Sequence, residues 1–297
     1  MPGAERRRRA AGPVGAALAV LALLAVLAVR ALPLPGVEVV RELPYTDGTT
    51  LDVYAPARGH GRPVLVLLHG CCGARQDLSQ LAWEAAAGGA VVYNVTWQKL
   101  PGGGRFPTAY QQAACAVRFA RATAPRYGGA AGQVTLLGWS DGAMLAAVVA
   151  NAGDDFSGDC LAHGQSALPD AVVGVGGFYG WPAGGGVDPR YVTPGTVRFF
   201  GGSPARAPVA WAAGNPYTQL GRNRRVGVAL IVDANDPLLD DNRRFLAALR
   251  AAGHHATLTV VAGGDPLTLI SPRTDQGRAT LQETLRVAAG GAPGRRS

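Results

Sequence analysis

The chain has 297 residues, which suits one large domain or two small ones and excludes a fibre or a short disulfide-rich scaffold. Hydrophobic residues make up 48% of it and charged residues 16%, so we expect a packed core and no intrinsic disorder. The formal net charge is +8, but residues 1–30 hold five arginines against Glu5, and two more arginines stand at 295–296. Because the excess charge lies at the ends, no nucleic-acid groove is predicted.

A cationic and then apolar segment opens the chain. Four arginines at 6–9 precede an almost unbroken apolar run at 10–29, whose length at helical rise is roughly 30 Å, about the thickness of a bilayer core. Because arginines stay on the cytoplasmic side, we predict an extracytoplasmic main domain, either membrane-anchored or secreted after signal cleavage. Residues 1–36 are thus predicted to be a cytoplasmic basic stub, a hydrophobic anchor or signal helix that contacts the membrane, and a linker.

Two kinds of sequence segment then alternate over residues 37–290. Apolar, β-branched runs predict eight strands, at residues 37–40, 51–54, 64–68, 90–95, 134–137, 171–175, 226–232 and 256–261. Stretches rich in Ala, Leu and Arg predict helices at 78–87, 107–124, 142–152, 240–252 and 278–289. Strands that are apolar throughout and separated by helices indicate an α/β domain, with a mostly parallel sheet covered on both faces. A turn signal at 46–49 indicates an antiparallel start.

Residues 178–218 interrupt this alternation. They carry eight aromatic residues in a chain whose aromatic content is 7%, and we predict either a cap that walls a pocket or a small core of its own. Residues 291–297 are expected to form a tail.

The strongest chemical signal is a Gly-x-Ser-x-Gly motif at residues 138–142, between a predicted strand and a predicted helix. The two glycines permit a turn too tight for side chains, which lifts the Ser140 hydroxyl to the start of the helix. Helix amides there favour the negative charge that develops when a serine attacks an acyl carbonyl. This setting favours Ser140 as a nucleophile over a structural turn serine.

Two other strand ends carry polar residues. The sequence His-Gly-Cys-Cys at 69–72 follows the strand 64–68, where a flexible backbone can direct amides at an oxyanion. His69 itself is interpreted as a structural residue of this loop rather than as a catalytic base. After the strand 226–232, Asp236 is well placed to orient an imidazole, with Asp233 as the reserve.

In chain order, the motifs at residues 69–72, 138–142 and 236 resemble those of the α/β-hydrolase family, in its esterase and dienelactone-hydrolase-like branch. The resemblance covers roughly residues 37–290. The resemblance implies the α/β-hydrolase fold, with an eight-stranded sheet whose second strand is antiparallel. It implies that Ser140 is the nucleophile and Asp236 the triad acid. It also implies an oxyanion hole made by the backbone amides of Asp141 and of the Cys71–Cys72 region.

The family's catalytic histidine has no counterpart at its expected position. After the last predicted strand, Pro266, or at best Asp265, stands where the histidine is expected, and neither shuttles a proton near neutral pH as imidazole does. In a serine hydrolase, losing that histidine costs roughly six orders of magnitude in turnover. Asp141 is a second departure, because a carboxylate beside Ser140 would oppose the oxyanion if it turned inward.

The remaining histidines offer one alternative base. Four of them precede predicted strands and therefore map to the edge opposite the expected site, namely His60, His163, His254 and His255. His69 alone lies at the correct edge. We therefore keep His69, or a residue brought in by 178–218, as the candidate base.

Two functions remain open at this point. The first is a serine hydrolase of carboxylesterase type that acts on a small-molecule ester through a Ser140 acyl-enzyme, with no metal or organic cofactor. The second is a catalytically inactive pseudoenzyme that binds a small ligand or a protein partner. Dinucleotide binding finds little support, because no Gly-x-Gly-x-x-Gly follows an early strand.

The four cysteines allow three disulfide connectivities, among which the sequence does not choose. Because Cys71 and Cys72 are adjacent, each is expected to bond a distant partner rather than the other.

Overall fold

A computed structural model describes residues 36–99, 104–180, 189–263 and 265–291. The predicted hydrophobic segment at 10–29 and nearly all of the predicted tail lie outside these described residues. Within the described ranges, no helix is both long and apolar enough to cross a membrane.

Eight strands form one sheet in the order β1-β2-β4-β3-β5-β6-β7-β8. They are β1 (Val37–Thr46), β2 (Thr49–Pro56), β3 (Arg62–Leu68), β4 (Val91–Val95), β5 (Gly129–Trp139), β6 (Ala171–Val175), β7 (Gly227–Asp233) and β8 (Ala256–Val261). Strand β2 runs antiparallel to both neighbours, β1 and β4, and every other neighbouring pair is parallel. The predicted eight strands and the antiparallel second strand are therefore confirmed.

Helices cover both faces of this sheet, as predicted. The α-helices among the described residues are α1 (Ser79–Ala87), α2 (Thr108–Thr123), α3 (Asp141–Ala152), α4 (Pro194–Phe200), α5 (Pro208–Ala213), α6 (Pro216–Gln219), α7 (Leu239–Ala251) and α8 (Asp275–Ala288). Alternate residues of β3 belong to two separate cores: Val64 and Val66 pack with α2, α3 and α7, whereas Leu65 and Leu67 pack with α1 and α8. Because both faces are buried, the strands read as continuous apolar runs.

The described residues of the aromatic stretch, 178–180 and 189–218, include α4, α5 and most of α6. Its Phe200 and Trp211 pack with Met144 of α3 in a third, small cluster. The ring centroids of Phe200 and Trp211 lie 4.4 Å apart. Phe200 and Trp211 therefore share a small hydrophobic cluster with α3.

The strand register brings the loops of interest to one edge. Leu68 of β3 pairs with Gly138 of β5, which pairs in turn with Gly174 of β6, and Asp233 of β7 pairs with Val261 of β8. Because parallel strands end at the same edge, the residues after β3, β5, β7 and β8 emerge together.

One disulfide bond joins Cys115 of α2 to Cys160 in the loop before β6, and Cys71 and Cys72 are free. The expectation that the adjacent pair bonds distant cysteines is therefore wrong. The reason is topological: the loop before β6 folds back onto α2 and buries Cys160 beside Cys115, while residues 71–72 lie at the carboxyl edge of the sheet.

Candidate active site

Ser140 occupies a strained turn between β5 and α3. Its backbone has φ 55° and ψ −120°, a region that costs non-glycine residues of order 1–3 kcal/mol. A Cβ on Gly138 would lie 2.1 Å from the carbonyl oxygen of Gly142, and a Cβ on Gly142 would lie 2.4 Å from that of Leu68. Both glycines are thus required by close backbone approach, and the turn presents a half-buried serine hydroxyl at the sheet edge.

The loop after β3 lies directly against this turn. A Cβ built on Gly70 would be 3.2 Å from the Cβ of Ser140. The Gly73 amide donates to the Gly70 carbonyl at 3.3 Å, which closes a turn over residues 71–72, and the Trp97 indole donates to the His69 carbonyl at 3.0 Å. This packing holds the loop beside Ser140, and the oxyanion role of the amides near residues 71–72 stays a prediction.

A buried guanidinium fixes the far end of the loop. Arg75 is ion-paired with Glu42 and, through Nε, with Asp52 Oδ2 at 3.3 Å. Its Nη1 donates to the hydroxyls of Thr50 at 2.9 Å and Thr96 at 2.6 Å. Because removing one partner of a buried pair leaves an uncompensated charge, this network ties the loop to β1 and β2.

His69 is buried beneath the loop and stacks on Trp97, with ring centroids 5.1 Å apart. Its Nδ1 lies 2.8 Å from the Gly70 carbonyl, which can only accept, so the proton is on Nδ1. Burial lowers the pKa of His69 to about 4. Nε2 is buried without a hydrogen bond, and nothing in the described part of the chain joins it to Ser140. Its use as a base stays a prediction.

All five histidines fall within the described residues, and none of them is among the residues that line the two cavities at Ser140. His254 is buried, where Nε2 accepts from the Gly221 amide at 3.2 Å. His60, His163 and His255 are exposed.

Asp141 is the hydrogen-bond partner of the Ser140 hydroxyl. The Ser140 hydroxyl donates to Asp141 Oδ2 at 3.3 Å. The Cys71 thiol also hydrogen-bonds this carboxylate. Burial is the largest cause of the raised pKa of that thiol, and the Asp141 carboxylate is the next. The side chain therefore turns inward, the orientation that was expected to oppose the chemistry.

Asp236 is buried after β7. Its Oδ1 accepts the Leu238 amide at 2.8 Å, and its Oδ2 lies 3.3 Å from the point where a Cβ on Gly176 would stand. Burial, and then the neighbouring charge of Asp233, raise the pKa of Asp236. The reserve candidate Asp233 is buried too, and its Oδ1 accepts the Asn235 amide at 2.8 Å.

Two cavities meet at this edge. The larger, here called the Ser140 cleft, measures about 550 Å³ and includes Ser140, Asp77, Leu267 and Ile270 in its wall. Leu267 and Ile270 belong to the segment after β8, where the family's histidine was expected. The Ser140 cleft is therefore walled there by apolar side chains, a feature that the sequence motifs did not reveal.

The smaller, here called the apolar cavity, measures about 230 Å³. Its wall includes Met144 of α3 and Phe178, Phe199 and Phe200 of the aromatic stretch, with Cys71 common to both cavities. Described residues of the stretch 178–218 therefore contribute to the wall of the apolar cavity. Only the aromatic content signalled these residues in the sequence.

No cluster of three or more His, Cys, Asp or Glu side chains suited to a metal ion occurs in ranges 36–99, 104–180, 189–263 and 265–291.

The sheet order, the strained serine turn and the adjacent loop define a protein of the α/β-hydrolase fold. Residues 51–182, which include that loop and the serine turn, match the BD-FAE family model. None of the curated protein sequences compared matches the chain significantly.

Solved structures of esterases have the same fold. Esterase B from Lactobacillus rhamnosis superposes with a TM-score of 0.71 at 18% identity, covering 94% of this chain and 96% of that one. A truncated carbohydrate esterase from gut microbiota gives 0.66 at 16% identity, covering 86% and 98%. The carboxylesterase EstE1 from a metagenomic library gives 0.64 at 21% identity, covering 95% and 98%. The predicted α/β-hydrolase fold is therefore confirmed.

Proposed function

We propose that this protein hydrolyses small carboxylic esters through an acyl-enzyme on Ser140. The observation that carries this proposal is the strained turn that holds Ser140 against the 69–73 loop. Ser140 directly precedes α3 and lies against the 69–73 loop, and in this proposal backbone amides of both elements stabilise the tetrahedral oxyanion.

Asp141 is the proton acceptor in this proposal. Its carboxylate accepts a hydrogen bond from the Ser140 hydroxyl at 3.3 Å, slightly longer than the roughly 2.6–3.2 Å of a general base in action, a distance that often shortens when substrate binds. When Asp141 takes the proton it becomes neutral, so it does not face the oxyanion as a second negative charge. The transfer is less favourable than transfer to imidazole, because an ordinary Asp is a weaker base than an ordinary His by roughly 2.6 pKa units.

The apolar cavity supports a short acyl group. Its volume of about 230 Å³ is below the roughly 300–1,000 Å³ of pockets that hold drug-sized ligands. The similar esterase B has been solved with a C4-C4 SN3 tributyrin phosphonate inhibitor. We therefore propose that the acyl chain enters the apolar cavity while the alcohol leaves through the Ser140 cleft.

Hydrolysis of short p-nitrophenyl esters by the full-length protein tests the proposal. We expect slow turnover that Ser140→Ala abolishes. Asp141→Asn should lower kcat about a hundredfold, the lower range for a general base. Asp77→Asn is the matched control, because Asp77 lines the same cleft and its Oδ2 accepts the Ala74 amide at 2.8 Å, a bond that asparagine keeps.

Faster turnover by Asp141→Asn would refute the assigned base, because it would show that the carboxylate opposes the chemistry. Equal turnover by Ser140→Ala and the unaltered protein would refute the nucleophile.

A further inference from the structure

Two free thiols stand side by side at the junction of the two cavities. The Sγ atoms of Cys71 and Cys72 lie 3.0 Å apart. Cys72 is exposed and Cys71 is half-buried. Both line the Ser140 cleft, and Cys71 also lines the apolar cavity. No step of the proposed hydrolysis uses either thiol.

We propose that Cys71 and Cys72 are a redox modification site, where a disulfide donor converts the two thiols into a reversible vicinal disulfide that blocks hydrolysis at Ser140. The blocking part of this proposal rests on the proposed function, whereas the bond itself does not.

The exchange balances in two steps. The Cys72 thiolate attacks one sulfur of the donor disulfide, forming a mixed disulfide and releasing one donor thiol. Cys71 then loses its proton and attacks the Cys72 sulfur, which closes the Cys71–Cys72 bond and releases the second donor thiol. Two electrons pass from the cysteines to the donor, and its two sulfurs take up the two protons.

Exposure sets the order of these steps. Cys72 reaches solvent, so an external disulfide meets it first. Burial and the Asp141 carboxylate raise the pKa of the Cys71 thiol, which disfavours its thiolate and suits it to the second, intramolecular step. An extracytoplasmic location, as predicted from residues 1–36, would supply disulfide donors.

Closing the Cys71–Cys72 disulfide must move the backbone of the 69–73 loop. Neighbouring Cα atoms across a trans peptide are about 3.8 Å apart, whereas disulfide-bonded residues usually have Cα atoms about 4.4–6.8 Å apart. The peptide between Cys71 and Cys72 therefore distorts when the bond forms. The proposed function assigns the amides near residues 71–72 to the oxyanion hole, and losing one oxyanion donor costs about 10²–10³ in kcat.

The other disulfide does not take part. Cys115 and Cys160 are already bonded and are buried between α2 and the loop before β6. Any change that a mild thiol or disulfide buffer produces at the exposed pair can therefore be mapped separately from this bond.

The test treats the full-length protein with dithiothreitol or with oxidised glutathione, then alkylates free thiols and maps the modified peptides by mass spectrometry. We expect oxidised glutathione to abolish alkylation of Cys71 and Cys72 with the loss of two hydrogen atoms from their peptide. Ester hydrolysis should fall about a hundredfold and return with dithiothreitol.

Cys72→Ser and Cys71→Ser are the variants, each referred to its own rate in dithiothreitol. Neither variant can form the bond. In Cys72→Ser the remaining thiol, Cys71, is half-buried, so oxidised glutathione should not produce the hundredfold loss there. Alkylation of both cysteines after oxidation of the unaltered protein would overturn the site, and a mapped bond with an unchanged rate would overturn the block. If the reduced protein hydrolyses no ester, the proposed function fails, and so does the proposal that the disulfide blocks hydrolysis. Mass spectrometry still shows whether the Cys71–Cys72 bond forms.

Discussion

Replacing Pro266 by histidine tests whether the segment after β8 occupies the place of the family's catalytic base. The following residue, Leu267, lines the Ser140 cleft, so the Pro266→His variant tests whether an imidazole in this segment serves Ser140. The change is mild for the backbone. The Asp265 carboxylate keeps its bond to the Leu267 amide at 2.9 Å, and loss of a loop proline costs about 0.4–1 kcal/mol.

The expected gain in rate depends on which group accepts the proton in the unaltered protein. If the present proton acceptor is a carboxylate, as proposed for Asp141 at 3.3 Å from the Ser140 hydroxyl, imidazole is the stronger base, because ordinary His and Asp side chains differ by about 2.6 pKa units. This is about 3.5 kcal/mol of barrier, or roughly 400-fold in rate, when it is fully expressed. If the unaltered protein has no base at all, the gain approaches the roughly 10⁶-fold cost of losing the histidine.

The assay is kcat/KM for a short p-nitrophenyl ester as a function of pH. We expect Pro266→His to gain about 10²–10³-fold and to acquire a rise in activity with a midpoint near pH 6.5, where an ordinary imidazole loses its proton. Pro266→Gln, the matched control, should gain nothing, and Asp236→Asn in the Pro266→His background should remove the gain. A folded Pro266→His protein with no gain would refute the placement of this segment, and a gain near 10⁶-fold would refute the role of Asp141.

Three further predictions concern the scaffold. Burial raises the pKa of Asp236, so its ionisation weakens the fold as pH rises through that pKa. Asp236→Asn should therefore raise Tm at pH 7 and not below pH 4. An unchanged Tm at pH 7 would contradict the raised pKa. Because the pKa of His69 is lowered to about 4, the free energy of unfolding should decrease by about 3 kcal/mol as pH falls from about 6.5 to 4; His69→Asn should remove this slope, whereas the exposed His255→Asn should keep it. Gly142→Ala puts a Cβ 2.4 Å from the Leu68 carbonyl oxygen; thermal unfolding and ester hydrolysis should both show a loss, and wild-type values in both would contradict the described turn.

The fold was accessible from the sequence because its strands are buried on both faces. A run such as residues 64–68 has no polar position, and the structure shows why: Val64 and Val66 face one core and Leu65 and Leu67 the other. The serine turn was equally accessible, since the close approach of Gly138 and Gly142 leaves no room for a side chain.

The contacts around Ser140 were not accessible in the same way. Whether Asp141 turns toward the serine depends on a side-chain rotamer, and motif spacing does not determine it. The partner of Cys160 depends on how the loop before β6 folds back on α2, a long-range packing event with no local signal. The apolar walls formed by Leu267 and Phe199 likewise depend on which loops meet at the sheet edge.

Covalent labelling of the full-length protein with a fluorophosphonate tests whether the Ser140 hydroxyl is an activated nucleophile. The probe reacts with an activated serine hydroxyl, and peptide mapping identifies the labelled residue. We expect a single adduct on Ser140 that Ser140→Ala eliminates. A folded protein that takes up no probe over a broad pH range, or that carries the adduct on another residue, would contradict it.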